Sequence, residues 1–383
     1  MHAMPRALTD ERRDLVAAVA DFCRRECGTK EQRDKLTENG REPHNQRLYE
    51  KMADLGWLGI AIPEEHGGAG LGMVDLCLFL EESSYGLAPI SGFGTTIITA
   101  AAYEKFGTEE QKRAVLGGVV RGRVEAVSMS EPGAGSDVGA LTCRADKVDG
   151  GYVINGQKTW CSNAHFADHV LLIARTSRDE GKHGGLTQFM VPADAEGLRI
   201  SGIETMGGRE VNDLYFTDCF LPDSAVVGVP GQGWAQLMAG LNLERMILAA
   251  LMLGVARRAF DDTLAYVRQR EQFGRPIGSF QALKHRIADM AVELECARLL
   301  LDDVAATIDA NPGKVFAREA SMAKLKCTEL AKHFALEGMQ MLGGYGYATE
   351  YGMESLLRSA VVSTVYGGTS EIQRDIIGKT YGL

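Results

Sequence analysis

The 383-residue sequence lacks the features of several large classes of protein. Lys and Arg total 41 against 51 Asp and Glu, a net charge of −10, so the positive surface that attracts nucleic acid or anionic membranes is not expected. The longest apolar candidate for a membrane span, 246–256, ends at Arg257 and falls short of 18 residues. The first 21 residues carry charges throughout, unlike a secretory signal. These absences predict a cytoplasmic protein with no nucleic-acid or membrane partner.

Common nucleotide and metal motifs are absent too. No Gly-x-Gly-x-x-Gly follows a strand pattern and no Walker A lysine occurs, so a bound dinucleotide would not use a Rossmann turn. The eight cysteines are scattered, and the spacing of Cys23 and Cys27 has no second pair to complete a zinc site. We interpret His165 and His169 as surface histidines. The sequence therefore predicts no metal site.

Glycine, by contrast, is abundant while proline is scarce. The chain has 45 glycines and 10 prolines, so glycine is about 12% of the residues against about 7% in an average protein. There is no collagen period and no low-complexity tract. The excess indicates unusual turns or a close approach of the backbone to a ligand.

Hydrophobic periodicity divides the chain into helical, β-rich and helical regions, and we place the domains at 1–121, 122–229 and 230–383. Thr108 and Gln111 form a predicted capping box in the first domain. The middle domain alternates short β-prone runs with turn signals and has no helical pattern between them, which predicts a mostly antiparallel sheet. The β-prone runs are 124–130, 152–155, 170–174, 188–191 and 213–220. Its predicted turns are Asp149–Gly151 and Asn155-Gly156.

The last domain is predicted to be a helical bundle. Three of its helical patterns are much longer than an average helix: 236–269, 281–309 and 315–342. With a shorter terminal helix they predict a four-helix bundle.

Three segments suit the binding of an anion or a flat ring. Residues 128–137 (SMSEPGAGSD) leave a β run through a Glu-Pro-Gly turn and offer N–H groups and hydroxyls, although a simple Asx-capped turn is the alternative. Residues 155–163 set Trp160 among small hydroxyl residues, or form a hairpin with a core Trp. Residues 366–373 contain a diglycine before a helix that Ser370 is predicted to cap, with Gln373 at position N3, and such helix ends favour phosphate.

In this order and context the three segments resemble those of the acyl-CoA dehydrogenase family of flavoproteins, and the resemblance covers nearly the whole chain. Arg270–Gly274, with Gln281 beyond, resembles the stretch that contacts the FAD diphosphate and adenosine, and 340–344 resembles the segment that reaches a neighbouring subunit's FAD. The resemblance implies an α+β fold with an N-terminal helical domain, a central antiparallel β-barrel-like domain and a C-terminal four-helix bundle. It also implies FAD, an acyl-CoA substrate, a homotetramer and an electron-transfer flavoprotein as partner.

The same resemblance assigns residue roles. Residues 127–130 would line the isoalloxazine edge, Trp160 would stack near the flavin, and Ser162 could hydrogen-bond near N5. The implied FAD contacts are Val127, Met129, Ser130, Ser136, Trp160, Cys161, Ser162, Arg270, Gln272, Phe273, Gln281, Gln340, Met341, Gly343, Gly344, Thr369 and Glu371. The implied substrate contacts are Ser136, Asn242, Arg245 and Tyr366, with Arg245 on the CoA portion.

The catalytic base departs from the family's commonest pattern. Dehydrogenation of a thioester needs a carboxylate to accept the α proton. In most members a glutamate follows the tyrosine that matches Tyr366, but this chain has Gly367 there. Glu244 lies on an apolar helical stripe, where desolvation would raise its pKa. The helix pattern alone favours a structural Glu paired with Arg245 or another cation.

The resemblance favours Glu244 as the base. Isovaleryl-CoA and long-chain acyl-CoA dehydrogenases carry their base at the position matching Glu244 and a small residue at the one matching Gly367. The Gly367 N–H, with a flavin ribityl hydroxyl, would then bind the thioester carbonyl, as in an oxyanion hole.

The acyl chain, the thioester carrier and the electron acceptor stay open, although relatives with this base placement often take branched or bulky acyl groups. The alternatives are an acyl-carrier-protein-specific dehydrogenase, an acyl-CoA oxidase and a silent subunit of a mixed oligomer.

Overall fold

The computed structural model describes residues 8–177, 181 and 183–383. These residues form two compact units. The helical unit comprises the described residues up to Lys35, Gly72–Ala88 and Asn242–Leu383, and the sheet unit comprises Leu36–Leu71 and Pro89–Leu241. These two units are not the three predicted domains, whose boundaries stay predictions.

The first third of the chain is helical, as its apolar periodicity predicts. The predicted capping box is confirmed, because the Thr108 side chain accepts from the Gln111 N–H at 3.3 Å and the Gln111 side chain accepts from the Thr108 N–H at 3.0 Å. The helices are α1 (Asp10–Glu26), α2 (Lys30–Leu36), α3 (Gln46–Asp54), α4 (Met73–Tyr85), α5 (Gly92–Phe106) and α6 (Glu109–Val120).

Among the described residues, an eight-stranded mixed sheet follows. Its strands are β1 (Glu125–Ser128), β2 (Arg144–Val148), β3 (Gly151–Ser162), β4 (His169–Arg175), β5 (Leu186–Pro192), β6 (Leu198–Thr205), β7 (Gly208–Pro222) and β8 (Val226–Val227). The strand order is β6-β7-β3-β2-β4-β5-β8, and β1 pairs with β4. Most pairs are antiparallel, as predicted, but β1–β4 and β2–β4 are parallel. The short charged strand β2 and the sparsely buried β6 were not predicted.

The prediction of a turn at Asn155-Gly156 is wrong. Both residues lie inside β3, whose pairing with β7 shifts register between Ile154 and Gly156. Gly156 has a φ of +146°, and a Cβ there would stand 2.8 Å from the Cα of Cys143. The dipeptide therefore forms a β-bulge, where only glycine fits the close backbone approach. The other predicted turn, at Asp149–Gly151, is confirmed because it joins β2 to β3.

Long helices return at the end of the chain. They and two very short strands are α7 (Gly233–Gln269), β9 (Glu271–Gln272), β10 (Arg275–Pro276), α8 (Gln281–Asp309), α9 (Ala317–Leu342), α10 (Gly344–Tyr347), α11 (Met353–Ser363) and α12 (Ser370–Lys379). The bounds predicted for α8 are confirmed. Two shorter helices, α11 and α12, occupy the place of the single terminal helix that was predicted, because the turn around Gly367 and Gly368 separates them. The predicted α+β class, helical then β-rich then helical, is confirmed.

Packing in the helical unit joins distant parts of the chain: α1 packs on α4, α4 on α8, α8 on α9, and α9 on α11 and α12. Asp309, the last residue of α8, accepts from the N–H groups of Met73 at 2.6 Å and Val74 at 3.0 Å. Its carboxylate therefore caps the start of α4, where a side chain at Gly72 would collide with it.

The sheet unit places one histidine differently from its prediction. His169, on β4, is half-buried, and its Nδ1 lies 3.2 Å from Oε1 of the buried Glu125. The parallel pairing of β1 with β4 puts these two residues opposite each other, which sequence spacing does not reveal. His165 is half-buried too and hydrogen-bonds the amide of Asn212. Neither is a surface histidine.

Helix α7 is long and apolar enough to cross a membrane by length and composition. However, 56% of its most apolar 18-residue window is buried inside the protein. A buried core helix passes the same test, so α7 is weak evidence for a membrane span.

Candidate active site

Glu244 lies on α7 beside an apolar face of the helical unit. The residue is half-buried, and its helical neighbours Ile247 and Leu248 are buried. Burial raises the pKa of the Glu244 carboxyl above its ordinary value, and the charges of Arg245 and Lys324 partly oppose that rise. A carboxyl group in this setting is closer to the proton affinity that a general base needs at neutral pH.

Arg245 is not the ion-pair partner of Glu244. Its Nη1 donates instead to Oδ1 of Asn242 at 2.8 Å, and within the described part of the chain no ion pair joins Arg245 to Glu244. The Nε of this buried arginine has no partner among the described residues. Two of the predicted substrate contacts, Asn242 and Arg245, thus lie together within one helical turn of Glu244.

Gly367 lies directly beside the Glu244 carboxyl. A Cβ at Gly367 would stand 3.5 Å from Glu244 Oε1 and 2.3 Å from Cδ1 of Leu248. The glycine has a φ of +61°, a left-handed conformation that disfavours a larger residue. In the described residues no acceptor bonds the Gly367 N–H, which leaves this donor for a ligand. A side-chain carboxylate at position 244 or at position 367 would therefore reach nearly the same point in space.

Two buried side chains hold the diglycine turn. The Gln373 amide donates to the carbonyls of Gly367 and Gly368, both at 3.0 Å, and Lys324 Nζ donates to the Gly368 carbonyl at 2.9 Å. Lys324 was not among the predicted site residues. Its signal is helical spacing, since it shares the buried face of α9 with Ala320, Cys327 and Ala331.

The cap of α12 differs from its prediction. Thr369, not Ser370, is the N-cap, and its side chain accepts from the Ile372 N–H at 3.3 Å. Ser370 begins the helix, and its buried hydroxyl has no partner among the residues described. Thr369 is half-buried, while Glu371 and Tyr366 are exposed.

A second group of predicted residues shares one cavity of about 540 Å³ in the helical unit. Its lining includes Arg270, Gln272, Met341, Gly343 and Gly344, so the two segments predicted to contact FAD meet within one chain. Cβ atoms on either of these glycines would meet nothing within 4 Å, so the diglycine opens onto free space.

The other members of this group lie outside the cavity lining. Phe273 is 93% exposed at the tip of the β9–β10 turn. Gln281 and Gln340 are exposed, at the start of α8 and near the end of α9.

A buried ion pair organises the Glu-Pro-Gly turn of the sheet unit. Glu131 and Ala134 exchange backbone hydrogen bonds of 3.0 Å across the turn. Lys158 Nζ, wholly buried, donates to Glu131 Oε1 and to the Met129 carbonyl, both at 2.9 Å. Burial favours the neutral acid, but the charge of Lys158 and the hydrogen bonds donated to the carboxylate hold the pKa of Glu131 below its ordinary value. Lys158 and Glu131 thus hold the segment that is predicted to line the flavin.

A bulge exposes Trp160. The register of β3 against β7 shifts between Lys158 and Cys161, and Trp160 has a φ of +58°. Bulges re-aim side chains, and Trp160 is 59% exposed, which excludes the alternative of a core tryptophan. Cys161 points inward instead, and its Sγ lies 3.4 Å from the Val127 carbonyl.

The remaining predicted contacts of this unit differ in exposure. The side chains of Val127 and Met129 pack on the cluster of Ala134, Leu141, Ile173 and Leu186, so a ligand at this edge would meet mainly their backbone. Ser130 and Ser162 are half-buried and Ser136 is exposed.

Comparisons with known proteins agree over nearly the whole chain. Models of the N-terminal, middle and C-terminal domains of acyl-CoA dehydrogenases match residues 9–123, 126–219 and 231–382. From Solanum tuberosum, a mitochondrial 2-methylacyl-CoA dehydrogenase is 37% identical and a mitochondrial isovaleryl-CoA dehydrogenase is 36% identical, each alignment covering 97% of this chain and 90% of the relative. The crystal structure of an acyl-CoA dehydrogenase from Geobacillus kaustophilus superposes with a TM-score of 0.92 at 32% identity, covering 99% of this chain and 100% of that one.

Proposed function

Because the chain belongs to the acyl-CoA dehydrogenase family, and is thus an FAD-dependent enzyme that dehydrogenates acyl-CoA, we propose that Glu244 is its catalytic base. The observation that carries the proposal is the 3.5 Å separation between Glu244 Oε1 and the site of a Cβ at Gly367. The carboxylate that most relatives are expected to carry at position 367 is thus replaced from a neighbouring helix.

The residues present fit FAD. The cavity of about 540 Å³ offers the Arg270 guanidinium and an open diglycine, which suit a diphosphate and its adenosine. The exposed ring of Trp160 suits a flat aromatic partner, and the unpartnered hydroxyl of Ser370 lies at a helix start. When bound, FAD supplies the acceptor for the β hydrogen, which leaves the substrate as a hydride to flavin N5.

This chain's own residues manage the α proton. The Glu244 carboxylate accepts it, and the negative charge that develops on the thioester oxygen is met by the Gly367 N–H, which is free to donate. Arg245 is buried with an unpartnered Nε, so its guanidinium has a donor left for the CoA portion of the substrate. The proton acceptor, Glu244, and the donor to the thioester oxygen, Gly367, would therefore lie next to each other.

The substrate class and partners follow from less direct support. The names of the two Solanum tuberosum relatives support a branched acyl group. An electron-transfer flavoprotein as acceptor rests on the family resemblance alone. Assembly with further copies of the chain is supported by an exposed apolar stripe on α8, where Val292, Cys296 and Leu299 recur at helical spacing. The number of four subunits rests on the family resemblance.

The test is anaerobic reduction of the enzyme-bound flavin by a panel of straight and branched acyl-CoA thioesters. We expect Glu244→Gln to keep its bound FAD and its yellow colour but to bleach about 10²- to 10⁴-fold more slowly than wild type, the range typical for loss of a general base. Glu110→Gln, at an exposed glutamate of α6, is the matched control and should bleach at the wild-type rate.

Full bleaching by Glu244→Gln would remove Glu244 as the base. Three other results would replace the proposal with an alternative. Bleaching only by acyl-carrier-protein thioesters would identify a carrier-specific enzyme, and hydrogen peroxide formation in air would identify an oxidase. Absence of bleaching by any thioester until a partner chain is added would identify a silent subunit.

A further inference from the structure

Lys324 is a buried cation that the proposed chemistry leaves without a role. Lys324 is 0% exposed on α9, and in the part of the chain that the structure describes its Nζ bonds the Gly368 carbonyl and forms no ion pair with a carboxylate. Burial of an ammonium group without a close counter-ion costs free energy. If this residue only filled space in the core, a neutral side chain would therefore be more stable. The hydrogen bond of 2.9 Å to the Gly368 carbonyl indicates what the lysine does instead.

The diglycine turn has few other constraints. Gly367 and Gly368 have φ values of +61° and +77°, and two successive glycines can adopt many backbone conformations. Gln373 and Lys324 together bond both carbonyls of the turn, and Gly368 receives both donors. These bonds to the carbonyls restrict the backbone conformation of the turn, while the Gly367 N–H keeps no acceptor among the described residues.

The same lysine acts on the base through its charge. The positive charge of Lys324 favours the ionised carboxylate of Glu244, and Glu244 in turn favours the ammonium form of Lys324. The charged groups that face the lysine are Glu244 and Arg245 on α7, Glu329 on α9 and Glu371 on α12. Burial nevertheless lowers the pKa of Lys324 to about 8.

We propose that Lys324 is a positioning residue, whose ammonium holds the Gly367–Gly368 turn in place beside Glu244 and keeps the Glu244 carboxyl ionised. The inference rests on the proposed roles of Glu244 and Gly367. It has two separable parts, the hydrogen bond that orients the turn and the charge that acts on the base.

Three variants separate the two parts. Lys324→Arg keeps the charge and donors, Lys324→Gln keeps a donor without the charge, and Lys324→Met loses both. Lys326→Met is the matched control, because Lys326 lies on the same helix, more exposed to solvent, in an ion pair with Glu293. The holoenzymes are compared by the pH dependence of anaerobic flavin reduction, and by hydrogen–deuterium exchange of residues 364–373, which does not depend on turnover.

We expect the pH at which reduction reaches half its maximum to rise by about one unit in Lys324→Gln and Lys324→Met, because the opposite charge near Glu244 is lost. Lys324→Arg should keep the wild-type profile. Hydrogen–deuterium exchange of residues 364–373 should be several-fold faster in Lys324→Met than in wild type. The exchange rate of Lys324→Gln should lie between these two.

Unchanged pH profiles and exchange rates in both Lys324→Gln and Lys324→Met, relative to Lys326→Met, would overturn the inference while the function proposed for Glu244 stands. Full flavin reduction by Glu244→Gln would overturn the proposed function first. If Lys324→Met loses the fold, the comparison of Lys324→Gln with Lys324→Arg still decides the matter.

Discussion

Replacing Lys158 by Met tests whether the buried ion pair at the Glu-Pro-Gly turn stabilises the sheet unit. The side chains of Lys158 and Glu131 are 0% and 5% exposed, and their N···O distance is 2.9 Å. The variant removes the ammonium group but leaves Glu131 in place with its three other donors, the N–H and hydroxyl of Thr142 and the N–H of Cys143. It also takes from the Met129 carbonyl its side-chain donor.

The expected loss is about 3–5 kcal/mol of unfolding free energy, the cost of leaving one member of a buried pair uncompensated. The three remaining donors to Glu131 favour the lower end of that range. Lys158→Met combined with Glu131→Gln should recover roughly 0.5–3 kcal/mol, since the second change removes the stranded charge. The loss should also shrink below about pH 4.5, because wild type gives up the stabilisation of Glu131 as the pH falls through its lowered pKa.

Equilibrium urea unfolding followed by tryptophan fluorescence is the suitable assay. All three tryptophans, Trp57, Trp160 and Trp234, belong to the sheet unit, so the signal reports that unit. Lys147→Met is the matched control, since Lys147 forms an exposed ion pair with Asp223 and should cost less than about 1 kcal/mol. A Lys158→Met variant no less stable than Lys147→Met would refute the reasoning.

Two further predictions concern stability. Asp309→Ala should cost about 1–2 kcal/mol, because the first two N–H groups of α4 lose their cap; calorimetry should show little change for Asp303→Ala on the same helix, and an equally small change for both would contradict the capping role. Burial opposes protonation of His169, but Glu125 raises its pKa, so the pair stabilises the fold below about pH 6.5 and loses that effect as the pH rises. The difference in unfolding free energy between wild type and His169→Asn should therefore shrink above pH 6.5. A difference that stays constant in urea unfolding from pH 5.5 to 9 would exclude a stabilising role for the His169–Glu125 pair.

Local sequence patterns predicted the elements whose stability is itself local. The long helix α8 and the capping box at Thr108 are examples, because apolar residues repeat every 3.6 positions and caps involve residues three apart. Strand β6 was missed, since its residues are barely buried and show no clear alternation. The dipeptide Asn155-Gly156 was misassigned, because a turn and a bulge both use glycine and only the partner strand distinguishes them.

Some residues of the candidate site were likewise predicted from the sequence, and others were not. The resemblance of the motifs to the acyl-CoA dehydrogenase family, together with the glycine at position 367, led to the proposal of Glu244 without coordinates. Lys324 escaped notice, because a lysine on a long helix usually faces solvent and its burial depends on what packs against α9. Lys158 is a similar case, since strand alternation predicts the same face for Lys158 and Trp160, but a bulge in β3 leaves Lys158 buried and Trp160 exposed.

By itself, the sequence determined which residue types are available: the helical and β-rich regions, the glycine-rich segments, and a carboxylate on α7 in a chain that lacks one at position 367. Only the tertiary structure decided which of these residues meet. It brought Glu244 to 3.5 Å from the Cβ site of Gly367 and set a buried lysine behind the same turn. The physical reason is that helical hydrogen bonds, caps and helical periodicity act between near neighbours in the chain, whereas burial, and with it the pKa of a carboxyl group, depends on segments that are distant in sequence.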